Sequence, residues 1–328
     1  MESEQQHTGM FSFEFFPPKT PAGREKLRHT LAQLASCKPK FFSCTYGAGG
    51  STRDGTLETV REIQSAGHAA APHLTCIGST RCHIEALLDL YKRQGVQYLI
   101  ALRGDAPAGE RYENDFWFAS DLVAFIRSTT GTAFHLTVAC YPEVHPQATS
   151  ARCDLEHFKI KVESGANAAI TQYFYNVDAY FRFIDACDAL HINVPIIPGI
   201  MPIGNFAQLM RFSDTCGAEI PRWLRLRMQG FGNDQDSMRS YGLDVVTELC
   251  DRLLAGGAPG LHFYTMNDAE LTLTIWQRLS PIGGAPSRCW HERNYQSAVD
   301  LDFTCLPPRT RGDLLRQGQA PGGPRQFL

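Results

Sequence analysis

The chain predicts a single-domain (β/α)8 TIM barrel of the α/β class, and three observations carry that expectation. Eight short apolar, β-branched or aromatic runs recur along it, stretches of helical periodicity separate them, and almost every run closes on a polar residue able to do chemistry. The runs are FSFEFF at 11–16, FFSCTY at 41–46, AAPHLTC at 70–76, YLIALRGD at 98–105, HLTVACY at 135–141, AAITQYFY at 168–175, VPIIPGI at 194–200 and LHFYTM at 261–266. Each is rich in residues that suit a pleated, buried surface. Helical spacing is read at 24–34, 57–66, 84–94, 155–164 and 179–190. The longest interval between strands, 200–261, holds two further helical patterns, 206–214 and 236–254, and reads as a crossover with an extra helix. The barrel is expected from 10 to 282, after a tail of 1–9. From 283 the composition turns to Pro, Gly, Arg and Gln with little periodicity, which predicts an irregular or disordered tail to 328.

Composition narrows the partners. A net charge of −3 gives no broad electrostatic reason to bind nucleic acid or an acidic membrane, so a small molecule is the expected target. The start MESEQQHTG lacks the basic and apolar stretches of a secretory signal, and no apolar run is long enough to cross a bilayer. A cytoplasmic location is expected. Eleven cysteines form no CxxC, and Cys44, Cys76 and Cys140 fall inside strand runs, where a reduced thiol serves as a small hydrophobe.

In such barrels the strand ends carry the chemistry. Glu14 sits among Phe13, Phe15 and Phe16, and a carboxylate desolvated by aromatic surface is expected to have a raised pKa, as a general acid needs. The alternative is an interior carboxylate paired with a base such as Arg103. In ALRGD, strand alternation places Arg103 and Asp105 on one face, with Gly104 allowing close backbone approach. Tyr141, Glu143 and His145 lie on a proline-stiffened loop after strand five. Gln172, in an apolar strand, needs partners that a ligand would supply. The glycines of YGAGGST match no phosphate-loop pattern and suit a tight turn. His73, Glu143 and His145 could converge on a metal, but the expected metal assignment is none, because ligand spacing is absent.

Taken in order, FSFEFFPPKT, KPKFFSCTYGA, APHLTC, ALRGDAP, YPEVHPQA, GANAAITQYFYN, IIPGIMPIGNF and LHFYTMN closely resemble the flavin-dependent 5,10-methylenetetrahydrofolate reductases, in the short bacterial type without a regulatory domain. The likeness spans 11–279. It implies non-covalent FAD and a ping-pong reaction in which NADH or NADPH reduces the flavin and methylenetetrahydrofolate then takes the hydride, giving 5-methyltetrahydrofolate. It implies Glu14 as the general acid that assists opening of the folate's five-membered ring to an iminium, and Asp105 as the carboxylate near pterin and flavin. Gln172, Phe206 and Tyr264 take substrate-binding roles. Thr45, Tyr46, His73, Arg103, Gly104, Asp105, Phe118, Ala119, Tyr141, His145, Ala148, Asp154, His157 and Lys161 take FAD-contacting ones, Lys161 at the pyrophosphate. A homo-oligomer is implied as well.

The chain departs from the family pattern at two places. Asp268 stands where the family's motif after strand eight carries an Arg that binds the folate's glutamate tail, and His157 stands where a short polar residue is common. Two other readings stay open at this point: a metal-dependent barrel hydrolase or lyase using His73, Glu143 and His145, and a flavin barrel that has lost folate activity through Asp268.

Overall fold

The computed structural model of the chain describes residues 10–46, 53–105 and 114–279. The glycine turn expected at 47–52, the tails at 1–9 and 283–328, and the domain limit at 282 lie outside the described residues. The described strands are β1 (Met10–Phe15), β2 (Phe41–Cys44), β3 (Ala70–Thr75), β4 (Tyr98–Leu102), β5 (His135–Cys140), β6 (Ala168–Thr171), β7 (Ile196–Ile197), β8 (Gly199–Ile200) and β9 (Gly260–Tyr264). Their order in the sheet is β7-β6-β5-β4-β3-β2-β1-β9-β8, and every pairing is parallel.

The run 194–200 therefore forms one barrel strand in two pieces. β7 pairs with β6, β8 pairs with β9, and Pro198 between them accepts from the His262 N–H at 3.0 Å. A proline has no N–H to give the ladder, so the strand breaks where it stands. The ring is closed across that break, as the eight-strand reading expects.

Alternation decides what each strand gives to which face. On β1, Phe11, Phe13 and Phe15 join the outer core under the helices, with Leu27, Leu31 and Leu34 of α1 (Pro21–Ala35). The alternate residues of the strands meet inside the barrel, where Phe41, Ala71, Ile100, Ala168, Ile170 and Ile197 cluster with Met10, Tyr98, Leu102 and Tyr264. Ser12 and Glu14 share that inner parity.

The connecting helices are α2 (Arg53–Ser65), α3 (Arg81–Arg93), α4 (Ala119–Thr130), α5 (Ala151–Glu163), α6 (Val177–Ala189), α7 (Phe206–Cys216), α8 (Arg222–Gly230), α9 (Gln235–Ala255) and α10 (Glu270–Arg278). Several begin on a side-chain cap that satisfies free N–H groups: Thr20 for α1, Thr80 for α3, Ser150 for α5, Asn176 for α6 and Asn205 for α7. Between β8 and β9 the structure holds three helices where the periodicity shows two. The additional one, α8, reads RWLRLRMQG and buries only Leu224 and Met228; its arginines hide the apolar spacing.

Gly199 is required by close approach. A Cβ there would lie 2.2 Å from the Thr171 carbonyl oxygen and 2.6 Å from the Tyr264 ring, whose hydroxyl donates to that same carbonyl at 2.8 Å. Backbone cannot yield as a flexible side chain can, so Gly199→Ala should cost about 1–3 kcal/mol, as overpacking does. A thermal melt of the variant should show a clearly lowered Tm, and an unchanged one would mean that the strand shifts freely.

Candidate functional site at the barrel mouth

The inner parity of β1, β3 and β9 brings Glu14, His73 and His262 together at the C-terminal end of the barrel. Glu14 is 5% exposed, His73 7% and His262 0%. Glu14 Oε2 lies 3.3 Å from His262 Nε2 and 3.1 Å from His73 Nε2. His262 hydrogen-bonds Glu14, whereas the His73 Nε2 is not aligned for a hydrogen bond, so that contact is electrostatic. The other His262 nitrogen, Nδ1, is 2.8 Å from Ser12 Oγ. His262 thus bridges Ser12 and Glu14 through its two ring nitrogens.

This geometry corrects the expectation that Glu14 has a raised pKa, and it replaces Arg103 as the partner. Phe13 and Phe15 are adjacent in sequence but face the helices, so they do not surround the carboxylate. Desolvation is still the largest single influence and pushes the pKa up. It is outweighed by the positive charge of the His73 imidazole in its protonated form, by the His262 hydrogen bond and by His262 charge, which together hold Glu14 at about 2.

The backbone around Glu14 is fixed from β9. Thr265 Oγ1 donates to the Glu14 carbonyl at 2.6 Å. Asn267 accepts from the Phe16 N–H at 2.8 Å and donates to the Phe16 carbonyl at 2.9 Å. Asn267 has φ +56, a left-handed conformation that asparagine tolerates better than most residues. Tyr264, half-buried between this cluster and β6, feels the charge of Glu14 and the neighbouring Tyr141, and burial drives its phenol well above the usual range.

A second group gathers over β4 and β5. Arg103 donates to Gln147 Oε1 at 2.6 Å and to the Gly104 carbonyl at 3.3 Å. Gly104, at φ +79, leaves room that a Cβ would lose 2.9 Å from Thr75. His145 donates its backbone N–H to Asp154 at 2.8 Å, accepts from the Gln147 N–H at 3.0 Å and packs edge-on to Tyr141 with ring centres 4.5 Å apart. Desolvation lowers the His145 pKa, partly offset by the charge of Asp154, and the exposed Asp105 reaches both His145 and Tyr141 electrostatically. Ala148 closes the loop by donating to the His145 carbonyl at 2.8 Å. Lys161 of α5 donates to the Ala139 carbonyl at the end of β5, and burial lowers its pKa. An ammonium has three donors, so two remain for another acceptor.

The remaining candidates are distributed around the rim. Thr45 and Tyr46 follow β2, with the Thr45 N–H bonded to the Phe15 carbonyl at 2.9 Å. Gln172 follows β6; its N–H donates to Cys140, and its side-chain oxygen accepts from the Tyr173 N–H at 2.9 Å. Phe206 opens α7, half-buried against the outer core. Phe118 and Ala119 stand at the start of α4, and the exposed Phe118 ring lies 6.1 Å from that of the exposed His157. Asp268 does not stand free: it ion-pairs with Lys26 at 3.3 Å and accepts from the Glu270 N–H at 3.0 Å at the start of α10.

His73, Glu143 and His145 are not brought together. Glu143 instead accepts from the Glu219 N–H at 2.8 Å, and among the described residues no group of three or more His, Cys, Asp or Glu is placed to hold a metal. The described cysteines are free, and burial raises the Cys44, Cys76 and Cys140 thiols, as structural thiols require. Sequence reasoning missed His262, Ser12 and Gln147. His262 shares strand parity with Tyr264 in an otherwise apolar run, and that parity is the signal that finds it.

These features define a class, a (β/α)8-barrel enzyme that handles a small molecule at the C-terminal ends of its strands. Residues 1–280 match the family described as methylenetetrahydrofolate reductase. A 5,10-methylenetetrahydrofolate reductase of Salmonella typhimurium is 41% identical over 269 residues, covering 82% of this chain and 90% of that protein. That of Escherichia coli K12 is 40% identical over the same length, with the same coverage. The methylenetetrahydrofolate reductase (NADH) 1 of Arabidopsis thaliana is 38% identical, covering 85% of this chain and 50% of that protein. This chain belongs to the methylenetetrahydrofolate reductase family. In fold it also resembles a solved structure, an uncharacterized protein from Clostridium thermocellum that binds 5-methyl-5,6,7,8-tetrahydrofolic acid; the TM-score is 0.58 at 16% identity, covering 82% of this chain and 94% of that one. No helix of the described residues is long and apolar enough to cross a membrane.

Glu143 supplies a test of the site's electrostatics. Desolvation raises its carboxyl from 4.5 to about 7, and Oε1 is buried without a partner. A raised folded-state pKa stabilises the fold below the unfolded value, and that contribution is lost as pH rises from 4.5 through 7. Glu143→Gln, which keeps the acceptor for Glu219, should therefore raise Tm relative to the parent at pH 8 and change it little near pH 4.5. Paired melts at the two pH values check this.

Proposed function

We propose that this chain reduces 5,10-methylenetetrahydrofolate to 5-methyltetrahydrofolate, with FAD as cofactor and NADH or NADPH as electron source in a ping-pong sequence. The observation that carries the reading is the buried carboxylate–imidazole cluster of Glu14, His73 and His262 in a barrel of this family. Reductive opening of the substrate's five-membered ring consumes a proton at a nitrogen, and this cluster is a proton-holding group at the strand ends.

The residues present fit a flavin dinucleotide. Among the described residues no carboxylate forms an ion pair with Arg103, whose guanidinium rests on neutral oxygens beside Gly104, where no side chain blocks approach. Lys161 adds a second cation beside β5, and exposed Phe118 and Trp117 provide flat apolar surface at the rim. Anion-binding donors with aromatic faces suit a pyrophosphate joined to planar rings. The bound flavin would supply the hydride exchange between nicotinamide and folate.

The chain's own residues have separable tasks. Glu14 delivers the proton to the substrate nitrogen, and its neighbours keep it ionised until a proton is passed to it. Asp105 places negative charge above β4, where it favours a cationic form of the folate and disfavours added negative charge on a nearby cofactor. Gln172 offers an amide that both donates and accepts, and Phe206 and Tyr264 offer ring faces and edges for a planar substrate. Asp268 points the rim away from binding an anionic tail at that position, since Lys26 and the α10 N–H already occupy it. We extend the reading to a homo-oligomer and a cytoplasmic enzyme.

An anaerobic visible spectrum of purified protein tests the whole reading. A flavin band should bleach with NADH or NADPH and return on adding methylenetetrahydrofolate; a protein that takes up no FAD overturns it. Glu14→Gln should leave flavin reduction by NADH nearly unchanged and slow flavin reoxidation by the folate about 10²–10⁴-fold, the range of a positioned proton donor. Equal losses in both halves would remove Glu14 from that role. Asp105→Asn should raise the flavin midpoint potential, and an unmoved potential would remove the electrostatic role.

A further inference from the structure

The helix α8 is apolar on two sides. Leu224 and Met228, four residues apart, are buried in the outer core. Leu226 stands two residues from each, about 200° round the helix, and so occupies the crest that faces away from them. It is 54% exposed, and Trp223, one turn earlier, is 51% exposed. An exposed crest ordinarily carries polar residues. Here Arg222 shares it with Leu226, while Trp223 flanks it on one side and Arg225 on the other. The helix carries three arginines and no acidic residue. Arg227 lies over the Phe231 and Tyr241 rings, 5.0 and 5.6 Å from their centres, and holds the helix against α9. The link before the helix is fixed as well, since the Glu219 N–H donates to Glu143 of the mouth loop. Arg222 and Arg225 are exposed, and among the described residues neither forms an ion pair.

We propose that the crest of α8 docks on an anionic lipid surface, with Leu226 and Trp223 entering the boundary between headgroups and acyl chains and Arg222 and Arg225 meeting lipid phosphates. The residue types are those that settle in that plane: an indole rests at headgroup level, and arginines reach phosphate along apolar stems. A helix of nine residues lies on such a surface and cannot cross it. The chain's net charge of −3 does not oppose the contact, because exposed charges more than about 8 Å away are largely screened at physiological salt, and α8 meets the surface with its own arginines. The nearest acidic residues along the chain, Glu219 and Asp234, lie outside the helix, and Asp234 is engaged by Ser237 at the start of α9. A second copy fits less well, since a two-fold axis on this crest would set arginine against arginine. The crest is also a convex ridge: a fluid bilayer closes round it, whereas a protein partner must carry a matching groove.

Docking needs neither cofactor nor folate, so it is tested on the full chain apart from the reductase reading. The protein is sedimented with vesicles of phosphatidylcholine alone and with vesicles of equal parts phosphatidylcholine and phosphatidylglycerol. It should bind the mixed vesicles, release them as salt rises, and leave the neutral ones unbound. Arg225→Glu, which changes the local charge by two, should weaken binding roughly thirtyfold, and Leu226→Gln about tenfold. Both side chains are exposed, so thermal melts should match the parent, and either folded variant alone decides. As an independent reading, mixed vesicles should shift tryptophan emission to the blue in the parent and not in Trp223→Phe. No binding to the mixed vesicles, equal binding to both kinds, or binding that survives either substitution would overturn the proposal. So would a smaller assembly on size-exclusion chromatography for Leu226→Gln without vesicle binding by the parent, which would give the crest to a second copy.

Discussion

The buried contact between one carboxylate and two imidazoles organises this barrel mouth. A charge at 5% exposure is costly unless it is compensated, and among the described residues Glu14 finds compensation in His73 of β3 and His262 of β9. The contact therefore demands that three strands, far apart in sequence, present the correct parity at one height. Thr265 and Asn267 enforce that height by bonding the backbone of Glu14 and Phe16. Gly199 and Tyr264 depend on it too, since the ring that fills the space over Gly199 stands beside the same carboxylate.

The rim follows a different principle. Around β4 and β5 the charges are held by neutral oxygens and backbone rather than by opposite charges. Arg103 rests on Gln147 and Gly104, and Lys161 on Ala139. Cations satisfied in this way keep their affinity for an incoming anion, because no ion pair has to break first. Interior and rim thus follow different rules: the first sets a carboxylate against imidazoles, and the second rests its cations on neutral oxygens.

Much of this was legible in the sequence because period-two runs and helical stretches alternate clearly, and a barrel follows from that alternation. The split at Pro198 and the helix α8 were less legible, the first because a proline inside an apolar run still reads as strand, the second because arginines interrupt nine residues. At the site, the inward placement of Glu14 was legible and its surroundings were not. Neighbours in sequence are not neighbours in space here, because strand alternation sends Phe13 and Phe15 to the opposite face. Its true partners come from positions 73 and 262, and nothing local to 11–16 announces them. The replacement at Asp268 was legible as a residue but not as a contact; Lys26 on α1 supplies the partner.

The Asn267 clip joins the first strand of the barrel to the last. As the chain emerges during synthesis, β1 to β8 can be assembled while His262, Thr265 and Asn267 are still missing, and Glu14 then lacks its aligned imidazole and its backbone anchors. A partly made barrel thus holds its rim cations before the buried contact of Glu14 with His262 exists. The interior cluster is completed only with the final strand, so the order of synthesis leaves its closure to the end of assembly.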